Sequence, residues 1–301
     1  MKTILVTGGS GLVGSAIQSI VKDYTYYFIF LNSKKCDLTD YTQTKKVFDE
    51  IRPDYIIHLA ACVGGLYKNM SSQIDMYEIN TLLNTNVLKA AKAVGVKNLI
   101  ACLSTCIFPD KIKYPINETM LHDGPPHPSN ECYAYAKRML EVQCKHYNFT
   151  CIIPTNVYGP HDNFNLEDGH VIPALIHKCY LAKQNGTPFY MRGTGRPLRQ
   201  FIYSVDLARL ILGIIDKGIT ETLILSPSEE YMLYDVAKMI NTEFGGNEVC
   251  ILPEYADGQY RKTADNSRLM EHFPNFEFTD LKTGIHQTVC WFIDNYNLAR
   301  K

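Results

Sequence analysis

The sequence predicts an α/β fold: a doubly wound parallel sheet with helices on both faces, joined to a smaller C-terminal α/β domain. Three observations predict it. A glycine-rich turn, "GGSGLVG", joins the β-branched run "TILVT" to a helical stretch near the N-terminus. Strand-like and helix-like segments then alternate to about residue 159, the order that builds parallel sheets covered on both sides. Beyond Gly159 a polar loop, "GPHDNFNLEDGH", breaks the alternation.

The elements follow in order. Residues 3–7 form the first strand and Leu12 to Val21 the first helix; "YYFIFLN" (26–32) is the second strand. "YTQTKKVFDEI" (41–51) is a helix, "DYIIHLA" (54–60) a strand, 76–94 a long helix and "NLIACLS" (98–104) the fourth strand. A helix over 133–147 leads to "TCIIPTNVYG" (150–159), which begins as a strand. "VIPALIHKCYLAKQNG" is a helix with proline in its first turn, where the missing N–H is not needed. "RQFIYSVDLARLILGII" (199–215) enters a helix from a strand, and 222–301 alternates short elements. The expected division is a nucleotide-binding part, residues 1–159 with about 199–218, and a substrate part, 160–198 and 219–301.

Composition narrows the function classes. A net charge of -1 over 301 residues gives no case for nucleic acid or a membrane surface as partner. The start "MKTILVTGGSG" has too short an apolar run for a signal peptide, and no stretch approaches the ~20 apolar residues of a membrane span. The ten cysteines include no C-x-x-C pair, so no metal site is signalled; a cytoplasmic chain with reduced thiols is expected.

Gly8, Gly11 and Gly14 stand at G-x-x-G-x-x-G spacing between a strand and a helix, the Rossmann-type setting for a dinucleotide. Glycine permits close backbone approach to a pyrophosphate, and the helix start offers it free N–H groups. Leu12, Val13, Leu38, Leu59, Ala60 and Ala61, at strand ends and the helix start, complete the expected cofactor wall. The second strand ends in "LNSKKCDL". No carboxylate stands at that end to bind a ribose 2′-hydroxyl, whereas Ser33 and Lys34 suit a 2′-phosphate, and Asp37 faces the adenine end. NADP(H) is the expected cofactor. The competing reading is that Lys34 and Lys35 are merely solvated.

"YAYAK" places Tyr133 and Lys137 four apart, on one helical face. A lysine cation beside a phenol lowers its pKa, and a tyrosine so tuned can protonate an oxygen as hydride reaches the adjacent carbon. With the "LST" strand end upstream, the combination resembles the extended short-chain dehydrogenase/reductase family. By family position Ser104 is the residue that hydrogen-bonds the substrate carbonyl oxygen.

The resemblance narrows further. "TGGSGLVGSAI", "HLAACVGGL", "CLSTCIFPD", "YPINETM", "NVYGPHDNFNLEDGHVIPALIHK" and "RQFIYSVDLA" look like the GDP-L-fucose synthase family, over essentially the whole chain. It implies NADPH-dependent 3,5-epimerisation and 4-reduction of GDP-4-keto-6-deoxy-D-mannose by a homodimer formed through helices 76–94 and 133–147. It also gives Cys106 and His170 a purpose. A C4 ketone acidifies the hydrogens on C3 and C5, and inversion needs proton removal on one face and return on the other. Reference pKa values of ~8.5 and ~6.5 suit a thiolate–imidazolium pair, with Cys106 as base and His170 as acid. From spacing alone, Cys106 reads sooner as a small buried residue like Cys102, and a loop residue capping the helix at Val171 stays open for His170.

By the same family positions, Lys178, Arg199 and Lys262 line a diphosphate site and Asn156 contacts the sugar or diphosphate. One departure stands out: "YMRGTG" has Arg192 where family members often have a tryptophan, so an arginine plane would have to serve the guanine. The alternative enzyme is a redox-neutral nucleotide-sugar 4-epimerase or dehydratase with tightly held NAD, which residues 32–35 argue against. A non-catalytic NADP(H)-binding protein should have lost some of Tyr133, Lys137, Cys106 and His170; all four are present.

Overall fold

The computed structural model describes residues 1–246 and 248–301. In chain order its first elements are β1 (Thr3–Thr7), α1 (Leu12–Ile20), β2 (Tyr27–Leu31), α2 (Tyr41–Ile51), β3 (Tyr55–His58), α3 (Leu66–Ser71), α4 (Gln73–Val94) and β4 (Asn98–Cys102). Next come α5 (Glu131–Tyr147), β5 (Thr150–Pro154), β6 (Asn156–Tyr158), α6 (Val171–Asn185), β7 (Phe189–Arg192), β8 (Leu198–Arg199), β9 (Phe201–Tyr203) and α7 (Ser204–Lys217). The chain closes with β10 (Leu223–Leu225), β11 (Tyr231–Met232), α8 (Leu233–Glu243), β12 (Val249–Leu252), α9 (Ser267–His272) and α10 (Leu281–Asp294).

Six parallel strands form the central sheet in the order β10-β5-β4-β3-β1-β2. Successive side chains of a strand face opposite sides, and the apolar runs are split accordingly. Ile4, Val6, Ile57, Ile100 and Ile152 pack beneath α1 and α7, whereas Leu5, Ile56, Leu99, Cys151 and Ile153 pack against the side covered by α2, α4 and α5. Both faces are covered, which is why these strands read as continuous apolar runs and not as alternating ones. Helix ends are fixed locally. Asp40 caps α2 by accepting from the N–H groups of Thr42 and Gln43 at 2.7 and 3.1 Å, and Gly95 closes α4 in the left-handed conformation.

The second core gathers α6, α8 and α10 around Phe164, Phe189 and Phe292, with the short pairs β7–β12, β8–β11 and β6–β9 at its edge. The structure adds three details to the reading of the sequence. β10, in the stretch assigned to the substrate part, pairs with β5, so the nucleotide part reaches about residue 225. α3 had no counterpart in the reading of the sequence, and β5 breaks from β6 at Thr155. Among the described residues no helix is long and apolar enough to cross a membrane, and no group of His, Cys, Asp and Glu could hold a metal ion.

Candidate active site

A cleft of about 1100 Å³ runs along the carboxyl ends of the central strands, between the two parts of the chain. In an open parallel sheet this is where ligands bind. Its floor is the glycine turn. Gly8 has φ +69°, a conformation that side chains disfavour, and a Cβ there would collide with the backbone of Leu59 and Ala60. At Gly14 a Cβ would run into the Gly8 and Gly9 carbonyls. α1 starts without a side-chain cap, leaving its first N–H groups for a phosphate. A cradle that Cβ atoms would fill, at an uncapped helix start, fits a dinucleotide pyrophosphate. Gly11, Leu12, Val13, Leu38, Leu59, Ala60 and Ala61 all line the cleft with it.

At the end of β2, Asn32, Ser33 and Asp37 also reach the cleft wall. Asn32 Oδ1 accepts from the backbone N–H groups of Lys34 and Lys35, both at 3.2 Å, which folds the turn and presents the exposed Ser33. Lys34, expected beside a 2′-phosphate, is not part of that wall, and Lys35 Nζ turns back to the Phe30 carbonyl at 3.4 Å. Asp37 is occupied by Thr39, whose N–H and hydroxyl it accepts at 2.9 and 2.7 Å.

The end of β4 carries the candidate chemistry. After Cys102 the chain leaves the sheet and winds into a single tight turn over Thr105–Ile107, so Cys106 is not on a strand. Ser104 precedes that turn and its Oγ accepts the Cys106 N–H at 3.4 Å. Asn130 Nδ2, just ahead of α5, lies 3.5 Å from the Cys106 carbonyl, and Arg138 Nε donates to the Ile107 carbonyl at 2.6 Å. α5 thereby clamps the turn and brings Tyr133 and Lys137 into the same cleft as Ser104 and Cys106.

The tuning of that pair differs from expectation. Lys137, buried at 2 % exposure, donates from Nζ to the Cys102 carbonyl at 2.8 Å, and Nζ stands 5.9 Å from the centre of the Tyr133 ring. Burial, followed by the Cys106, Cys102 and Cys62 thiols, pushes the Tyr133 phenol well above the usual range. Burial likewise holds Lys137 below its ordinary value. Every one of these effects favours the neutral form, so the resting phenol is protonated.

His170 lines the same cleft, immediately before α6. Its side chain makes no capping hydrogen bond, so it is not a cap for Val171, and it is open to the cleft. Desolvation by the cleft walls, then the Lys262 ammonium, lowers its pKa. The resting imidazolium suggested by reference values is therefore not the form favoured here. Neutralising Lys262 would remove the second of these two effects.

Lys178, Arg192, Arg199, Lys262 and Asn156 all line the cleft. Burial and then Arg192 lower Lys178, and burial and then Arg199 push Lys262 down to about 8. Cations that depress one another make a site for an anion, which relieves both costs. Arg199 is a strut: its guanidinium donates to the carbonyls of Leu198, Tyr260 and Gln259 at 2.7, 3.2 and 2.5 Å. Arg192 is bound to both carboxylate oxygens of Glu167 at 2.7 and 2.9 Å and lies over the Tyr255 ring at 4.9 Å. Asn156 Nδ2 donates to the Gln200 carbonyl at 2.8 Å.

The sequence reading missed Asn130, Gly64, Gly65, Asp162 and Arg300, all on the cleft wall. Asp162 is 3 % exposed, its Oδ2 has no partner, and burial pushes its carboxyl up to about 7. Its place in "GPHDNF" carries no spacing signal; only burial reveals it.

Residues 4–224 match the model of the NAD dependent epimerase/dehydratase family. The chain is 49% identical over 314 residues to the GDP-L-fucose synthase of Dictyostelium discoideum, covering 100% of this chain and 98% of that one. It is 44% identical to a probable GDP-L-fucose synthase of Drosophila melanogaster, with 100% of both chains covered. A crystal structure of a GDP-L-fucose synthetase from Naegleria fowleri bound to NADP superposes with a TM-score of 0.94 at 47% identity, over 100% of this chain and 95% of that one. Fold, cleft and full-length similarity agree: the chain belongs to the NAD dependent epimerase/dehydratase family and, within it, to the GDP-L-fucose synthases.

Proposed function

We propose that this chain is an NADPH-dependent epimerase-reductase that converts GDP-4-keto-6-deoxy-D-mannose to GDP-L-fucose. One observation carries the reading: a single cleft is lined by Ser104 and Cys106 after β4, Tyr133 and Lys137 on α5, His170 ahead of α6, and the cations Lys178, Arg192, Arg199 and Lys262. Family membership over the whole length supports it, and the NADP in the Naegleria fowleri structure supports the cofactor.

The chain's own groups divide the work. The ketone oxygen sits against Ser104 and Tyr133. Cys106, as thiolate, takes the proton from C3 or C5; the C–H electron pair moves into the ring as an enolate held on that oxygen. His170, having taken a proton from solvent, gives it to the other face, inverting the carbon, and the Cys106 thiol releases its proton to solvent, which resets the pair for the second inversion. Both inversions precede reduction, because reduction removes the carbonyl that acidifies C3 and C5. NADPH, held by the glycine turn and Ser33, supplies the hydride for C4, and Tyr133 gives its proton to O4. Lys178 and Lys262 hold the diphosphate, with Asn156 beside it, and Arg192 faces the base.

Two copies pair through α4 and α5, which pack side by side and leave Ile79, Leu82 and Met139 exposed. The enzyme works in the cytoplasm, where the ten free thiols stay reduced. The test is incubation with the 4-keto sugar nucleotide and NADPH, followed by identification of the product sugar. GDP-L-fucose with one NADPH consumed is the expected result; recovery of a 4-keto or redox-neutral product would reject the reading in favour of an epimerase or dehydratase.

A further inference from the structure

His170 takes its direction from the turn Asp168–Gly169 that precedes α6. That turn is fixed partly from within, by Asp168 N–H to Asn165 Oδ1 at 2.8 Å and Gly169 N–H to the Asn165 carbonyl at 3.0 Å. A further contact comes from the other half of the molecule. Gly65 N–H donates to the Asp168 carbonyl at 2.8 Å, and Lys68 Nζ lies 3.6 Å from Asp168 Oδ2.

Gly65 is not a glycine for its backbone angles. Its φ of -68° and ψ of -176° are open to any residue. It is a glycine for space: a Cβ would overlap the Gly169 carbonyl oxygen, a backbone atom one residue from His170. At Gly64 a Cβ would meet only the flexible Lys68 side chain. The strap holding Gly65 is itself tied down. Asn69 Nδ2 donates to the Gly64 and Gly65 carbonyls at 2.8 and 3.0 Å. The buried Asn80 side chain accepts the Cys62 N–H at 3.0 Å and donates to the Cys62 carbonyl at 2.9 Å. Ala60, where the strap begins, packs on Gly8.

We propose that Gly65, assisted by Lys68, is a positioning residue for His170. The strap from β3 thereby fixes the epimerising imidazole against the nucleotide half of the cleft, and epimerisation depends on it while hydride transfer does not. The proposal rests on the epimerase-reductase reading. The Lys68–Asp168 pair is half exposed and contributes less than the backbone contact.

The experiment uses the full chain with Gly65→Ala. The configuration of the product, solvent deuterium entry at C3 and C5, NADPH oxidation, NADPH binding and thermal unfolding are followed together. Formation of the epimerised product is expected to fall about a hundredfold, the cost of an ångström-scale misplacement, while Cys106 still exchanges the hydrogens on C3 and C5. NADPH binding is expected to hold, and ketone reduction to continue on un-epimerised substrate, giving a D-configured 6-deoxyhexose. Lys68→Gln should shift the products the same way with a loss of about twofold to fivefold, and Lys68→Arg should restore the parent ratio. Unchanged formation of the epimerised product by a folded Gly65→Ala variant, or inversion and reduction falling in equal proportion, overturns the proposal. If Gly65→Ala does not fold, Lys68→Gln decides, and an unaltered product ratio overturns it. A parent enzyme that neither exchanges nor reduces would instead sink the underlying functional reading.

Discussion

The Lys137 ammonium donates to the Cys102 carbonyl oxygen across 2.8 Å, which ties the helix of Tyr133 to the strand end that launches Ser104 and Cys106. The bond places the phenol and the thiol on one framework, so the groups for reduction and for epimerisation share a single ketone position. It also leaves the phenol to its buried surroundings, which keep it protonated, and the protonated form is the one that donates.

Tyr133→Phe keeps the ring and removes that donor. Ketone reduction should fall by about 10²–10⁴-fold, the usual worth of a positioned acid. Deuterium should still enter C3 and C5, because Cys106 and His170 remain. Near-normal NADPH oxidation by the variant would show that another group protonates O4.

Cys106→Ser replaces the thiol by a hydroxyl far harder to ionise, at almost the same size. Exchange at C3 and C5 should drop about a hundredfold or more, while NADPH binding stays and slow reduction yields a D-configured product. His170→Asn should uncouple removal from return of the proton, leaving exchange without completed inversion. GDP-L-fucose formation by Cys106→Ser at the parent rate would make the thiol a packing residue.

NADPH should be preferred over NADH, with Ser33 as the side chain on the cleft wall that meets a 2′-phosphate. Ser33→Asp should narrow or reverse the ratio of catalytic efficiencies by about tenfold to a hundredfold, the scale of a hydrogen bond to a charged group. Lys34→Ala should have a much smaller effect, because that side chain lies off the wall. A larger effect at Lys34 than at Ser33 would contradict this placement.

Substrate affinity should depend on pH through Lys262. Its pKa is lowered to about 8, so the cation is present below that pH and lost as pH rises through it. A diphosphate favours the charged form, so KM for the nucleotide sugar should rise above about pH 8, and Lys262→Gln should have a raised KM with that dependence removed. An unaltered pH dependence of KM in Lys262→Gln would assign the titration to another group.

What the sequence determined by itself was the local part of this protein. Strands β1 to β5, most of the helices around them and the glycine cradle follow from apolar periodicity and from residues whose backbone needs are local, such as Gly8. The Tyr133–Lys137 face is one helical turn and equally local. Motif resemblance added Cys106 and His170, which spacing alone left open. Tertiary structure decided what depends on residues distant in the chain. β10 joined the nucleotide sheet because β5 had a free edge beside it, which no periodicity in 222–301 reveals. Lys34 stands outside the cleft lining and Ser33 within it, a difference that "LNSKKCDL" does not show. Arg199 proved a strut for Gln259 and Tyr260, and Lys137 bonded a carbonyl 35 residues earlier. The pKa directions of Tyr133, His170 and Lys262 were likewise beyond the sequence, because desolvation is set by the walls that the whole chain builds around a group.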